Sequence, residues 1–447
     1  MKRKLRFGEM VSVASMLFGL FFGAGNLIFP VSVGQNAGRY AWVAFAGLFL
    51  TAVGLPLMGV AALGVSRSNG LFDLARKAGR PYGIFFTCLL YLTIGPFFAI
   101  PRCATTSFTV GLEQLLPANG GMRGYLLGFT VLFFAAALFC ALRPGKILTW
   151  VGQILNPCFL LFLGILMAVA LCNPGGKISQ IPPTAEYEAQ PFFAGFLAGY
   201  NTMDALASLA FGIIVVTVIR DLGVTEPGAV AANTVRSGVF SCLFMGLIYL
   251  AVALVGAQSR GLFPAAENGG VALAQIAKYY LGTPGLVILA ITVTLACLKT
   301  AAGLITSCAE TFAALFPKGP GYRFWAILFS VGSLVFSNLG LNAIITYSLP
   351  VLMFLYPLAI TLILLALLGK WFDHDHWVYG WVTGFSLIAA VYDLLAALPH
   401  GAKMDDFLTA AGRFLPLSRL GLGWICPAAV GFLIGLVCRR IRQRKTI

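Results

Sequence analysis

The stretch FFGAGNLIFP, residues 21–30, interrupts the first long apolar segment of the chain. Gly23, Gly25 and Asn26 lie near the middle of that segment, where a membrane-spanning helix would cross the bilayer centre. Each glycine destabilises a helix by about 1 kcal/mol relative to alanine, and Pro30 removes a backbone donor. In lipid, a broken helix is tolerated only where protein or a water-filled cavity satisfies its freed N–H and C=O groups. A break of this kind predicts the binding site of a membrane transporter.

The composition is that of a membrane protein. Hydrophobic residues make up 59% of the 447 residues and charged residues only 10%, whereas a soluble domain carries about 25% charged residues. We therefore predict an all-α polytopic fold, with segments long enough to cross a hydrocarbon core of about 30 Å. Twelve such spans are predicted at 8–33, 40–65, 82–112, 122–142, 148–172, 191–219, 235–258, 284–309, 324–337, 344–368, 377–398 and 421–438.

The distribution of basic residues predicts the topology. With a cytoplasmic N-terminus, 20 Lys and Arg residues fall in cytoplasmic segments and 8 in outer segments. This asymmetry follows the positive-inside rule and places both termini in the cytoplasm. The net charge of +15 therefore reflects topology, and we expect no nucleic-acid partner. The first span is too long for a signal peptide and lacks a small-residue cleavage site before Pro30, so we expect a retained helix.

Several other function classes are excluded. All ten cysteines lie in or at the ends of apolar spans without a C-x-x-C pair, so neither a disulfide framework nor a zinc site is expected. His374 and His376 could bind a metal, but we interpret their connection, WFDHDHW, as a solvated loop. The chain has no nucleophile–base pair that would indicate an enzyme, and no G-x-x-x-x-G-K-[ST] nucleotide loop. We expect no cofactor, and uphill transport would draw on a Na⁺ or H⁺ gradient.

A second candidate break predicts an inverted repeat. The polar connection 173–190 follows five spans, and the sixth span carries Gly199, Asn201, Thr202 and Asp204 near its middle. Because five is odd, a second five-span unit would be inserted upside down, with the binding site between the paired breaks. We predict a transport core, 1–370, made of repeats at about 1–172 and 191–370. Residues 371–447 would form two additional peripheral helices.

The two breaks offer groups that suit a charged solute. Half-helix N-termini present free N–H groups for a carboxylate, and freed carbonyls suit a small cation. For the glycines, the alternative is close helix packing. For Asp204, the alternatives are ion coupling, contact with a substrate ammonium, or capping of freed backbone N–H groups. The predicted substrate-binding residues are Gly23, Ala24, Gly25, Asn26, Asn201, Thr202, Met203 and Asp204.

Two basic residues lie within predicted spans. Lys299 is at the centre of span 284–309, and helical spacing places it on one face with Ala296 and Thr300. This face should pack toward the broken helices, where Lys299 would exchange a proton, act as a fixed positive charge, or form a salt bridge with Asp204. Arg102 follows a proline in span 82–112, where it would pair with a carbonyl or carboxylate near the cavity or lie closer to a membrane interface; we interpret it as structural. Glu113 and Asp393 lie near span ends and are not assigned to the site.

The chain resembles the branched-chain amino acid:cation symporter family, the bacterial leucine/isoleucine/valine carriers. The motifs that carry the resemblance are LFFGAGNLIFP with GQNAG, then AIPRCAT, GYNTMDALA, LACLKTAAGLITSCAE and SNLGL. The resemblance implies a leucine-transporter-type fold of five plus five helices and two more. It also implies import of an aliphatic amino acid with Na⁺ or H⁺ across the bacterial cytoplasmic membrane, with no obligatory protein partner. The family's ion position would map to Gly19, Phe22, Ala296, Lys299 and Thr300.

Three residues depart from the family pattern. Lys299 stands where the family typically has threonine or another small neutral residue, and Thr109 stands where a glutamate is common. Asn201 is polar where the family more often has an apolar residue. Two like charges about 4 Å apart at an effective dielectric of about 20 repel by about 4 kcal/mol. We therefore hypothesise that the Lys299 ammonium replaces sodium and makes transport Na⁺-independent. The alternatives to import of an aliphatic amino acid are transport of another small amine or carboxylate, and a role as a transporter-like substrate sensor.

Overall fold

The computed structural model describes residues 5–66, 68, 70–116, 121–143, 156–224, 226–399 and 401–445. These residues form helices and connections, without any strand. Within the described ranges, seven helices are long and apolar enough to cross a membrane, and three shorter helices are also apolar. Joined across kinks and breaks, the helical pieces form twelve consecutive spans, as predicted. The predicted residues 148–155 of the fifth span lie outside the described residues.

The observed spans agree with the predicted ones to within a few residues at most ends. Spans 1–6 comprise Phe7–Phe21 with Ala24–Ala37, Ala41–Phe49 with Leu50–Gly54 and Leu55–Ser66, Arg80–Leu115, Met122–Leu142, Asn156–Cys172, and Pro191–Ala198 with Gly199–Thr202 and Asp204–Asp221. Spans 7–12 comprise Pro227–Ser259, the part of Gly269–Leu315 that follows the kink at Gly282, Tyr322–Ser337, Leu341–Leu368, His376–Ala397 and Ile425–Lys445. Short helices at Leu71–Ala75, Ala185–Ala189 and Ala402–Gly412 lie in connections.

Both predicted breaks are present. The first half of span 1 ends at Phe21, and Phe22 and Gly23 are extended before the second half begins at Ala24. In span 6, a 3₁₀ turn ends at Thr202, and Met203 adopts the left-handed conformation, with φ 62°. That conformation is unfavourable for a residue with a side chain and turns the backbone sharply. Both breaks therefore leave half-helix ends in the interior of the molecule.

The packing of the spans is that of an inverted repeat. Span 1 packs along span 7, and span 2 packs along span 6. Span 5 contacts span 7, and span 10 contacts span 2; spans 3 and 8 contact each other, as do spans 4 and 9. Exchanging each of the first five spans with its counterpart in the second five turns this set of contacts into itself. The pattern supports repeats at about 1–172 and 191–370, although these boundaries stay a prediction.

Glycines permit the two matched helix contacts. A Cβ atom at Gly34 would lie 1.9 Å from a backbone carbonyl oxygen of span 7, and one at Gly256 would lie 2.5 Å from a carbonyl oxygen of span 1. At the contact between spans 2 and 6, a Cβ at Gly47 or Gly195 would lie 2.0 Å from an opposing carbonyl oxygen. Close packing therefore explains these glycines, as is common for small residues in membrane helices.

The last two spans pack at the side of the core. Span 12 packs on span 11, and span 11 packs on span 10. In the connection between spans 10 and 11, Asp375 accepts a hydrogen bond of 2.8 Å from the backbone N–H of Trp377 and caps span 11. His374 Nδ1 lies 3.1 Å from the Tyr379 hydroxyl. The division of the chain at residue 371 stays a prediction.

Candidate functional site

A small cavity lies between the two breaks. Its volume is about 40 Å³, enough for about three water molecules. Spans 1, 3, 6 and 8 supply its walls. The predicted site residues that line it are Gly23, Ala24, Gly25, Asn26, Thr202, Met203, Asp204 and Thr300. Residues from distant parts of the chain therefore meet where the backbone of both broken helices is freed.

Asp204 is the hub of a buried polar network. Its Oδ2 atom accepts a hydrogen bond of 2.7 Å from Asn26 Nδ2 and one of 2.9 Å from the Tyr249 hydroxyl. Asn26 Nδ2 also contacts the Tyr249 hydroxyl, and Asn26 Oδ1 accepts a 2.7 Å hydrogen bond from the backbone N–H of Gly23. Since Asp204 begins the second half of span 6, its carboxylate also faces the positive end of that helix. The network links span 1, span 6 and span 7.

Arg102 of span 3 contacts both breaks. Its Nη1 donates a hydrogen bond of 2.6 Å to the carbonyl of Asn201, and Nη2 lies 3.5 Å from the carbonyl oxygen of Thr202. The guanidinium lies 5.1 Å from the centre of the Phe29 ring in the second half of span 1. Arg102 is 3% exposed and lines the cavity. The prediction that it pairs with a carbonyl near the cavity agrees with this geometry.

The end of the first half of span 1 lies beside Thr300. The backbone N–H of Gly23 donates to Asn26 Oδ1, so the Gly19 carbonyl four residues earlier lacks that helical donor. A Cβ at Gly23 would lie 3.2 Å from Thr300 Cγ2, which brings the end of the first half of span 1 next to span 8. Thr300 Oγ1 donates a 3.2 Å hydrogen bond to the Ala296 carbonyl. Phe22 supplies the extended residue at the end of this half-helix.

Lys299 lies next to this group but does not line the cavity. Its side chain is half-buried, and within the described residues no carboxylate lies within 4 Å of it. Of the three alternatives for Lys299, the salt bridge with Asp204 is therefore not formed in the described residues. The most buried face of span 8 carries Cys297, Ala301 and Ile305, so the face of Lys299 is rotated away from full burial. The long methylene chain of lysine can pack on apolar surface while its ammonium group extends toward polar surroundings.

The remaining polar residues lie outside the central cavity. Asn201 supplies its carbonyl to Arg102, but its side chain does not line the cavity. Thr109 and Glu113 line a second cavity of about 290 Å³ near the end of span 3. Asp393 is buried in span 11 and lines neither cavity. Asn201 therefore contributes to the break through its backbone carbonyl, and the predicted contact of its side chain with the central cavity is not found.

The rest of the cavity wall is apolar. Aliphatic and aromatic side chains from spans 1, 3, 6 and 8 complete it: Phe21, Ile94, Ala99, Ala207, Phe211 and Leu304. Several of them follow polar lining residues by one or two helical turns, as Leu304 follows Thr300 and Phe211 follows Asp204. One cavity thus combines charged and polar groups at the breaks with a hydrocarbon surface.

Comparison with known proteins decides the family. A protein-family model described as "Branched-chain amino acid transport protein" matches residues 7–442. The chain belongs to the branched-chain amino acid transport protein family. The family member from Lactobacillus delbrueckii subsp. lactis, "Branched-chain amino acid permease BrnQ", is 51% identical over 434 residues, which cover 97% of each chain. The BrnQ permease of Bacillus subtilis (strain 168) is 39% identical and covers 99% of this chain and 100% of its own.

Solved structures agree on the fold. The chain is similar to Mhp1, a nucleobase-cation-symport-1 family transporter, with a TM-score of 0.60 at 15% identity over 99% of this chain and 95% of Mhp1. It is also similar to MhsT, with a TM-score of 0.58 at 17% identity over 89% of this chain and 99% of MhsT. The leucine-transporter-type fold is therefore confirmed. As a member of this family, the protein is a multi-pass membrane transporter and not an enzyme.

One residue of the network, Tyr249, is absent from the predicted site, and Arg102, predicted to be structural, lines the cavity. A lone tyrosine inside an apolar span signals a buried hydroxyl that needs a partner. A cation within a membrane span is itself a pointer to a functional cavity. For both residues the decisive contacts lie in distant spans.

Proposed function

We propose that the protein imports leucine, isoleucine and valine by alternating access of the cavity between the two breaks. The observation that carries this proposal is the combination of charged groups and hydrocarbon in one cavity. The zwitterionic end of an amino acid needs both a cation-binding and an anion-binding group, and Asp204 and the span 1 half-helix N-terminus supply them. A branched aliphatic side chain matches the wall that Ile94, Phe211 and Leu304 provide.

The substrate carboxylate would bind the N–H groups of the first turn of the second half of span 1, at Ala24, Gly25 and Asn26, which have no acceptor within their own helix. Its ammonium would bind the carboxylate of Asp204. A branched-chain amino acid is larger than about three water molecules, so its binding requires the cavity walls to separate. Rocking or gating of one repeat or helix bundle against the other supplies such a change in transporters of this architecture.

The positive charge of the Lys299 ammonium would replace the charge of a bound coupling cation. It neighbours Thr300, which lies against the first break, and no described carboxylate pairs with it within 4 Å. A sodium ion bound about 4 Å from its ammonium would be repelled by about 4 kcal/mol. We therefore propose that transport is Na⁺-independent and linked to protons. The bacterial cytoplasmic membrane, with both termini in the cytoplasm, is the proposed location.

Uptake of radiolabelled leucine into proteoliposomes tests the proposed function. We expect accumulation of leucine above its external concentration, with competition by isoleucine and valine and none by lysine or glutamate. Binding of leucine without accumulation would instead identify a substrate sensor. Absence of leucine uptake, with uptake of another small amine or carboxylate from the panel, would identify the alternative carrier.

The coupling proposal is tested in the same vesicles with Lys299→Thr. We expect wild-type uptake to respond to an imposed proton gradient and not to a sodium gradient. The variant should become sodium-responsive, because the repulsion is removed and a hydroxyl joins Thr300. Lys278→Thr, a change of an exposed residue in the helix before the Gly282 kink, is the matched control. Sodium-driven uptake by the wild type would contradict the role given to Lys299.

A further inference from the structure

Arg102 contacts more than the carbonyls at the span 6 break. Its guanidinium lies between the two breaks, hydrogen-bonded to the Asn201 carbonyl of span 6 and 5.1 Å from the centre of the Phe29 ring of span 1. A Cβ at Gly25 would lie 3.0 Å from Arg102 Nη2, so the guanidinium approaches the backbone of Gly25 directly. Gly25 belongs to the first turn of the second half of span 1, where the free N–H groups lie. A group bound to that turn is therefore within reach of Arg102.

The charge of Arg102 lacks a direct counter-ion. Within the described part of the chain, no carboxylate oxygen lies within 4 Å of its guanidinium. The carboxylate that lines the same cavity, Asp204, accepts hydrogen bonds from Asn26 and Tyr249. Arg102 is 3% exposed, and a buried cation without a paired anion is costly. Two carbonyls occupy part of its five N–H donors, which leaves donors for an incoming anion.

We infer that Arg102 binds the carboxylate of the substrate and makes the site select solutes that carry one. The planar guanidinium matches a carboxylate in a two-point geometry that a lysine does not reproduce. Arg102 would share the carboxylate with the N–H groups at Ala24 to Asn26, opposite Asp204 and the ammonium. This inference rests on the proposed function, because it names the group that binds the carboxylate end of the proposed amino-acid substrate.

A purely structural arginine predicts a different pattern of binding. If Arg102 only capped the carbonyls of the span 6 break, its loss would weaken every ligand of the cavity by a similar factor. If it binds the carboxylate, its loss would weaken leucine but not leucinamide, in which a neutral amide replaces the carboxylate. The ratio of the two affinities therefore separates the roles.

The experiment measures dissociation constants of leucine and leucinamide for the purified full-length protein in nanodiscs. In Arg102→Gln we expect leucine to bind about 10- to 100-fold more weakly, the loss of a hydrogen bond to a charged group, with leucinamide changed less than about threefold. Arg39→Gln, which breaks an exposed ion pair with Glu188, is the control and should leave both unchanged. Equal weakening of both ligands, or no weakening, would overturn the inference.

A second variant covers a folding defect. If Arg102→Gln does not yield folded protein, the ratio of the leucine and leucinamide dissociation constants is measured in Arg102→Lys instead. This variant keeps the positive charge but loses the planar pair of donors. We expect the preference for leucine over leucinamide to fall in this variant, and an unchanged preference would overturn the inference. If the wild type binds no branched-chain amino acid, the proposed function fails first. If it binds leucine and the ratio is insensitive to position 102, the inference alone fails.

Discussion

A single carboxylate oxygen holds the two breaks together. Oδ2 of Asp204 accepts from Asn26 at the first break and from Tyr249 of span 7. Hydrogen bonds to a charged acceptor contribute about 1.5–3 kcal/mol each, and more of that is lost when a buried partner is left unpaired. The network therefore fixes the distance between the helix halves that are proposed to bind the substrate.

Asp204→Asn keeps the shape of the side chain and removes its charge. We expect leucine uptake to fall by about 100-fold, because both the network and the proposed ammonium contact lose the carboxylate. The preference for leucine over 4-methylpentanoate, which lacks the ammonium, should fall as well. Binding measurements with both ligands check this, and an unchanged preference would show that Asp204 only caps the break.

Tyr249→Phe removes one donor to the same oxygen. We expect leucine uptake to fall by about tenfold, less than in Asp204→Asn, since Asn26 still donates to the carboxylate. Initial uptake rates in proteoliposomes measure this effect. Tyr279→Phe, a change of an exposed tyrosine outside the network, serves as the control. A loss as large as that of Asp204→Asn would show that Tyr249 does more than support the carboxylate.

At the scale of residues, the sequence predicted what is local. Gly23, Gly25 and Asn26 are close in the chain, and their effect on a helix follows from their own chemistry. The partners of Arg102 lie 99 and 100 residues away and are backbone carbonyls, which no side-chain pattern reveals. Tyr249 and Asn26 are separated by 223 residues. These contacts arise from how the spans pack and could not be read from spacing.

Among the helices, close backbone contact is the dominant feature. Gly34 lies against span 7 so closely that an added Cβ would be 1.9 Å from the carbonyl oxygen of Ala253. Backbone atoms of a packed helix cannot move aside as a flexible side chain can. The same arrangement recurs between spans 2 and 6, which ties the packing of the two repeats to small residues.

Gly34→Ala should destabilise the protein by separating spans 1 and 7. We expect a loss of about 1–3 kcal/mol, the range for overpacking, seen as a lower melting temperature of the detergent-solubilised protein. Gly128→Ala in span 4 has no atom within 4 Å of the added Cβ and should be neutral or stabilising. Equal behaviour of the two variants would contradict the packing account.

Glycine and proline marked some element boundaries correctly, but span 7 begins at Pro227, eight residues before the predicted 235. Span 8 is predicted to begin at 284, and the backbone kinks at Gly282, where φ is 64°, two residues before Pro284. The π-helical turns at Leu50–Gly54 and Thr93–Phe97 were not predicted. They depend on how spans 2 and 3 fit their neighbours, and single-residue propensities do not encode that fit.

For the whole molecule, an odd number of spans per repeat dictates that the two halves run in opposite directions. The exchange of contacts between spans 1–5 and spans 6–10 fits that expectation. The side of the membrane on which each end lies is an independent matter, predicted here from the excess of Lys and Arg in one set of connections.

Cys172 provides a test of the orientation. It is exposed at the end of span 5, which the proposed topology places outside the cell. We expect a membrane-impermeant maleimide to label Cys172 in intact cells, and Cys172→Ser to lose that labelling. A cysteine introduced at Arg442 in span 12 should react only after the cells are opened. Labelling of Cys172 only in opened cells would reverse the orientation.

The proposed transport mechanism depends on where the amino acid binds, and a structure of the purified protein with leucine bound tests this most directly. We predict leucine between the breaks, with its carboxylate at Ala24 to Asn26 and Arg102, its ammonium at Asp204 and its side chain against Phe211 and Leu304. Leucine bound elsewhere, such as in the cavity lined by Glu113 and Arg123, with the central cavity closed, would contradict the central claim.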